Sequence, residues 1–210
     1  MFTAATAAGL LLWIVGAPQY LFEYLFKVLP VVSAGTGFFE NHSPGGTLAR
    51  LFDPDTFLTV RGSPAAARVL TVLIAVAVLV LTFAALRRRP ASAMGRALEA
   101  ASIVSATPLI ASYSWGTHLV LLLLPMFVLV VWSARSRDWT VMALVACSWL
   151  LIGPAHKLMQ AMLVTGYSNL VVLRIMAEFG VVGILALWLA CLIAVRRAEA
   201  ATVNGVSVRP

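Results

Sequence analysis

The stretch VLTVLIAVAVLVLTFAAL, residues 69–86, decides the fold. It carries no charge. The apolar segment containing it, Ala65 to Leu86, is about 20 residues long, enough at the helical rise to cross the hydrocarbon of a bilayer. Arg87, Arg88 and Arg89 close it. Five further apolar runs lie around it, at about residues 2–20, 97–112, 117–132, 139–155 and 176–195. The run at 2–20 is uncharged and lacks the basic start of a signal peptide. The run at 97–112 is the weakest, with Glu99 near its start and Pro108 near its end. The expectation is an all-α fold: a polytopic transmembrane helical bundle of about six spans, followed by a disordered tail at 199–210.

Composition agrees. Of 210 residues, 61% are hydrophobic and 11% charged, where soluble domains carry about a quarter charged residues. Such a chain cannot cover its surface in water, so lipid must solvate part of it. The net charge of +7 would suggest nucleic acid as the partner of a soluble protein. Here the basic residues form short blocks between apolar runs, the pattern of topology anchors, and no nucleic-acid partner is expected. Cys147 and Cys191 sit inside apolar runs without a CxxC pair or a nearby histidine. They read as small hydrophobes, with no disulfide and no metal site.

Arginines set the orientation. The blocks at 87–89 with Arg96, at 135–137 and at 196–197 fall in every second connection, which the positive-inside rule places in the cytoplasm. Both ends of the chain are then cytoplasmic. The outer face receives residues 21–64, the turn Tyr113–Gly116 and the stretch from His156 to about Glu178. His42, His118 and His156 all fall on or beside that face. The expected location is the plasma (inner) membrane, multi-pass, with the site outside.

Candidate chemistry gathers in these outer segments. YLFEYLFKVLP, residues 20–30, sets Glu23 and Lys27 four apart among aromatic rings. This suits either a helix at the headgroup layer that helps a lipid enter, or a plain extension of the first span. In SAGTGFFENHSPGGTLARLFDPD, residues 33–55, Asn41 or Ser43 is placed to cap a short helix carrying Arg50. Gly45 and Gly46 allow close backbone approach, and the planar fork of Arg50 suits a phosphate. The same residues also suit an ordinary polar loop. Trp115 and His118, three apart, share one helix face at the membrane surface; His118 is either functional or a cap bonded to backbone. Lys157 is either a snorkelling anchor or a second cation for a lipid phosphate. Arg174 and Glu178, four apart, are expected to pair with each other.

Two of these segments together carry a family resemblance. NHSPGGTLARL, residues 41–51, resembles the N-x-S-x-x-G-x-x-x-R loop of glycosyltransferase family 87. These are GT-C-class mannosyltransferases that use polyprenyl-phosphate mannose. SYSWGTHLVLLLLP, residues 112–125, resembles that family's S-W-x-H-H-L-V-x-x-L-P signature, with His118 at the second histidine. Gly116 and Thr117 depart from the family's usual acidic residue and histidine. YLFEYLFKVLP resembles its Y-L-x-E-V-L-P stretch. The resemblance implies the C-terminal half of such an enzyme. Neither Glu23 nor Glu40 matches the catalytic carboxylate, which the family carries on an earlier loop. A missing N-terminal half is therefore expected as a partner, and the chain alone is expected to be inactive.

The implied reaction moves mannose, or another hexose, from a polyprenyl-phosphate donor to an extracytoplasmic glycan or glycolipid. The expected substrate-binding set is Asn41, Ser43, Arg50, Trp115, His118 and Lys157, with no cofactor. Arg50 is the first choice to stabilise the leaving phosphate and Lys157 the second. Two other readings stay open. One is a relative that binds a lipid-phosphate sugar without transferring it. The other is a transport or assembly subunit, which would more naturally carry ionisable groups near the midplane of its spans.

Overall fold

A computed structural model describes Gly9 and residues 18–28, 35–87, 92–116 and 118–203. The expected span at 2–20 lies almost wholly outside the described residues. α1 (Pro18–Glu23) passes directly into a π-helical turn, Tyr24–Val28. Glu23 and Lys27 pair across it at 3.2 Å. α2 (Pro44–Phe52) is a short helix, followed by a 3-10 turn at Pro54–Phe57. The long elements are α3 (Ala65–Ala85), α4 (Ala93–Ile110), α5 (Leu123–Ser136), α6 (Trp139–Ile152), α7 (Pro154–Val164) and α8 (Leu170–Val203). Apart from one isolated antiparallel bridge, Thr36 to Gly62, no sheet pairing occurs among the described residues.

Among the described residues, four stretches are long and apolar enough to cross a membrane: Ala65–Ala85, His118–Ser136, Trp139–Val164 and Leu170–Ala201. α4 is not among them. Arg96, Glu99 and a run of serine, threonine and alanine dilute its apolar character. It packs inside the bundle through Leu98, Ala101, Ser102, Ala106 and Leu109. Its buried hydroxyls bond back along the helix, Ser102 Oγ to Leu98 O at 2.8 Å and Ser105 Oγ to Ser102 O at 3.1 Å. This is how serine is accommodated in an apolar helix. α3 is the opposite case. Val72, Leu73, Val80, Leu81 and Phe83 point outward, the surface a lipid tail solvates.

Three expected boundaries change. The stretch from His156 to about Glu178, expected as an outer-face connection between two spans, is helical up to Val164 and again from Leu170. α6 breaks at Gly153, and Pro154, which cannot donate a backbone N–H, opens α7. The last helix starts at Leu170 rather than near 176. At 34 residues it is about 51 Å long, well beyond the hydrocarbon thickness. The tail expected at 199–210 is helical as far as Val203; the remainder lies outside the described residues.

α8 is the hub of the bundle. Leu173, Ala177, Ile184, Leu187, Ala190, Cys191 and Ala194 are fully buried along it. Gly183 lets α6 close in: an added Cβ there would lie 2.8 Å from Ile152 Cγ1 and 3.1 Å from Ser148 O. Small residues at such crossings drive helix association where no hydrophobic effect operates between helices. One polar tie joins α3 to α8. Trp188 Nε1 donates to Thr82 Oγ1 at 3.0 Å, and both residues are buried. Thr82→Val keeps the shape but strands the indole N–H. It should cost about 1–2 kcal/mol in detergent unfolding, whereas Thr107→Val on the exposed side should cost little.

The bundle has two chemically distinct ends. At one end Arg197 bonds the carboxylate of Asp138, which also caps α6 by accepting from Val141 N–H at 3.2 Å. At the other end the 36–57 segment meets the α4–α5 connection and the starts of α7 and α8. The candidate site lies there.

Candidate functional site

Asn41 organises this end. Its side chain is fully buried and makes four hydrogen bonds. Nδ2 donates to Thr36 O at 2.8 Å and to Ser112 O at 3.2 Å. Oδ1 accepts from Ser43 N–H at 3.2 Å and Ser114 N–H at 3.0 Å. One amide thereby joins the loop before α2 to the α4–α5 connection. Ser43 completes the join. Its hydroxyl caps α2 by accepting from Gly46 N–H at 3.1 Å and donates to Ser112 O at 3.2 Å. Gly46 must be glycine: a Cβ there would sit 2.4 Å from Asn41 O.

Arg50 is a brace. It is 5% exposed. Nε and Nη2 fork onto the two oxygens of Glu178, at 2.7 and 3.1 Å. Nη1 donates to Phe38 O at 3.2 Å and Asn41 O at 3.1 Å, and Nη2 also reaches Thr47 Oγ1 at 3.4 Å. Thr47 Oγ1 donates in turn to Glu178 Oε2. All five guanidinium donors have protein partners, so none is left for a substrate phosphate. Arg50 thus ties α2 to α8, and Glu178 pairs with Arg50 in place of Arg174. Arg174 instead donates to Pro54 O at 3.0 Å and lies over the Phe57 ring.

His42 is buried behind this brace, its ring edge-on to His156 with centroids 4.5 Å apart. Gly180 on α8 makes the room, since a Cβ there would fall 2.2 Å from His42 Nδ1. Among the described residues, neither ring nitrogen of His42 has a hydrogen-bond partner. Burial, then the neighbouring His156 and Arg50, push its pKa from 6.5 down to about 3. The folded protein therefore keeps His42 neutral where the unfolded chain protonates. Stability is full above pH 6.5 and falls as pH drops toward 3, by about 1.4 kcal/mol per unit from this group. The loss in unfolding temperature between pH 7.5 and 5.0 should shrink in His42→Leu.

In front of these braces lies a cleft of about 510 Å³, within the usual range of small-molecule sites. Its walls are sorted by chemistry. Leu119, Val120, Leu123 and Met126 form an apolar side along the start of α5. Trp149, Ile152 and Gly153 come from the end of α6, and His156, Lys157 and Gln160 from α7. Glu40, Trp115 and Gly116 close the mouth. Lys157 Nζ donates to Gln160 Oε1 at 3.1 Å, and Gln160 Nε2 donates to Glu40 Oε1 at 3.2 Å.

The six expected residues thus divide. Trp115 and Lys157 line one cleft. Asn41, Ser43 and Arg50 build the wall behind it without facing it. His118 stands on an exposed surface outside the cleft. Its Nδ1 accepts from Trp115 N–H at 3.3 Å, a local cap on the turn that starts α5. Glu40, Trp149, His156 and Gln160 join the site unforeseen as a group. The only signal for them in the sequence was the placement of Glu40 and His156 on the outer side.

Fold and site define a class: among the described residues, an all-helical bundle with four helices long and apolar enough to span a membrane and an amphipathic cleft at one end. Comparison with protein-family models, with curated proteins and with solved structures found no match.

Proposed function

We propose that the cleft binds a polyprenyl-phosphate sugar, and that the chain is the lipid-binding part of a six-span, GT-C-like membrane glycosyltransferase with this mouth outside the cell. The observation that carries the reading is the gradient along the cleft. An apolar wall on α5 suits an isoprenoid tail, and Lys157 at the polar end suits its phosphate. Trp115 and Trp149 add aromatic walls, and Glu40 and Gln160 add groups able to meet sugar hydroxyls. The resemblance of residues 41–51 and 112–125 to the family 87 motifs supports the choice of mannose as the sugar. The braced positions of Asn41, Ser43 and Arg50 explain why that motif matters without contact to substrate.

In transfer, the acceptor oxygen forms a bond to the anomeric carbon as the bond to the phosphate oxygen breaks. A carboxylate takes the acceptor's proton, and polyprenyl phosphate leaves with the electron pair. Lys157 offsets the charge gained by the departing phosphate. The carboxylate is assigned to an upstream half, because neither Glu23 nor Glu40 matches the family's catalytic position.

The test is mannose transfer from polyprenyl-phosphate mannose in membranes. The chain alone should give none. With an upstream half supplying the aspartate, transfer should appear, and Lys157→Ala should lower it by about 10- to 100-fold, the weight of one charge-assisted contact. Unchanged transfer in a stable Lys157→Ala protein would remove this cleft from the reaction. Rapid turnover by the chain alone would overturn the assignment of the base.

A further inference from the structure

The bridge Lys157–Gln160–Glu40 has an order that matters. The amide stands between the ammonium and the carboxylate, so the two charges meet through a neutral group and do not pair directly. Among the described residues Glu40 is in no salt bridge. It is half-buried at the cleft mouth, and a carboxylate so placed is stabilised by any hydroxyl that donates to it. It equally repels a second negative charge brought close. These two effects act in opposite senses on two closely related lipids. A sugar phosphodiester carries one negative charge and several hydroxyl donors. A bare prenyl phosphate monoester carries up to about two charges near neutral pH and no hydroxyls.

Resting on the proposed function, we propose that Glu40, oriented by Gln160, is the specificity-determining residue of the cleft, accepting from sugar hydroxyls of the lipid-linked donor and disfavouring the bare lipid phosphate. Lys157 attracts both lipids, because both present a phosphate. Glu40 separates them. Discrimination of this kind combines an attractive contact with a repulsive one. It also eases departure of the transfer product, which has lost the sugar and gained charge.

The experiment is equilibrium binding to the full chain in nanodiscs, with farnesyl-phosphate mannose and farnesyl phosphate as probes. Glu40→Gln keeps the size of the side chain and an oxygen able to accept from Gln160 Nε2. Wild type should prefer the mannose lipid by about tenfold or more, the scale of one hydrogen bond to a charged group. In Glu40→Gln that preference should collapse toward unity, through weaker binding of the mannose lipid and tighter binding of the bare phosphate. Lys157→Ala should weaken both lipids, the more highly charged bare phosphate more strongly, and so raise the preference for the mannose lipid, the opposite sense to Glu40→Gln. An unchanged ratio in Glu40→Gln, or equal weakening of both lipids, overturns the role of Glu40 while leaving the cleft as the lipid site. Wild type that binds neither lipid overturns the proposed function itself.

Discussion

Arg50→Lys should destabilise the protein nearly as much as Arg50→Ala, although it conserves the charge. The guanidinium makes a fork onto Glu178 and simultaneously reaches the carbonyls of Phe38 and Asn41. An ammonium has three donors and no fork, so it cannot reach this set from one position. The residue is buried, and the carboxylate of Glu178 would lose its bidentate partner. Breaking a buried pair from one side costs about 3–5 kcal/mol, and the partial exposure of Glu178 puts the expectation here at the lower end of that range. Unfolding in detergent should show that loss. The double variant Arg50→Met with Glu178→Leu should recover part of it, since no charge is then left stranded. If Arg50 were a phosphate ligand, Arg50→Lys would keep wild-type stability and lose only lipid affinity.

Asn41→Asp should be comparably damaging despite changing one atom. Two donors are lost, and a carboxylate oxygen is placed against the carbonyls of Thr36 and Ser112, where Nδ2 now sits at 2.8 and 3.2 Å. The other oxygen still accepts from Ser43 and Ser114. The site is fully buried, so water cannot relieve the mismatch. A cost of about 3 kcal/mol or more follows from the donor lost to Thr36 O, the repulsion of a carboxylate oxygen from two carbonyls, and a desolvated charge, although Ser112 O keeps the Ser43 hydroxyl. A protonated aspartic acid restores one donor. The deficit relative to wild type should therefore narrow as pH falls, when both are compared in unfolding at each pH. A deficit that does not change with pH would mean that the amide donors are not what Asn41 contributes.

Residues 69–86 were legible because an uncharged run of that length has few other homes than lipid. The capping role of Ser43 was also legible, because a cap is a local device read from three or four residues. Where the helices run within 156–178 was not legible, for a physical reason. His156, Lys157, Gln160, Arg174 and Glu178 give it a loop-like composition. His156, Gln160, Arg174 and Glu178 meet partners on the 36–57 segment while Lys157 bonds Gln160 on its own helix, and composition carries no trace of those partners. The Arg50–Glu178 pair shows the same gap. Glu178 has a nearer basic residue in sequence, Arg174, at ideal helical spacing, yet its partner is 128 positions away. The motif Asn41–Ser43–Arg50 stood out from the sequence as polar chemistry. It was assigned to substrate because the sequence does not show which donors already have partners. The cleft itself was illegible. Glu40, Trp149 and Gln160 lie on three separate elements, and only the kink at Gly153–Pro154 turns α7 so that they meet.

The most direct measurement is an experimental structure of the protein in nanodiscs with farnesyl-phosphate mannose bound. The phosphate should lie within hydrogen-bond distance of Lys157 Nζ, with the prenyl chain along Leu119, Leu123 and Met126, and with Arg50 still forked onto Glu178. A phosphate seated on Arg50, or a cleft that holds no prenyl-phosphate sugar at saturating ligand, would contradict the account.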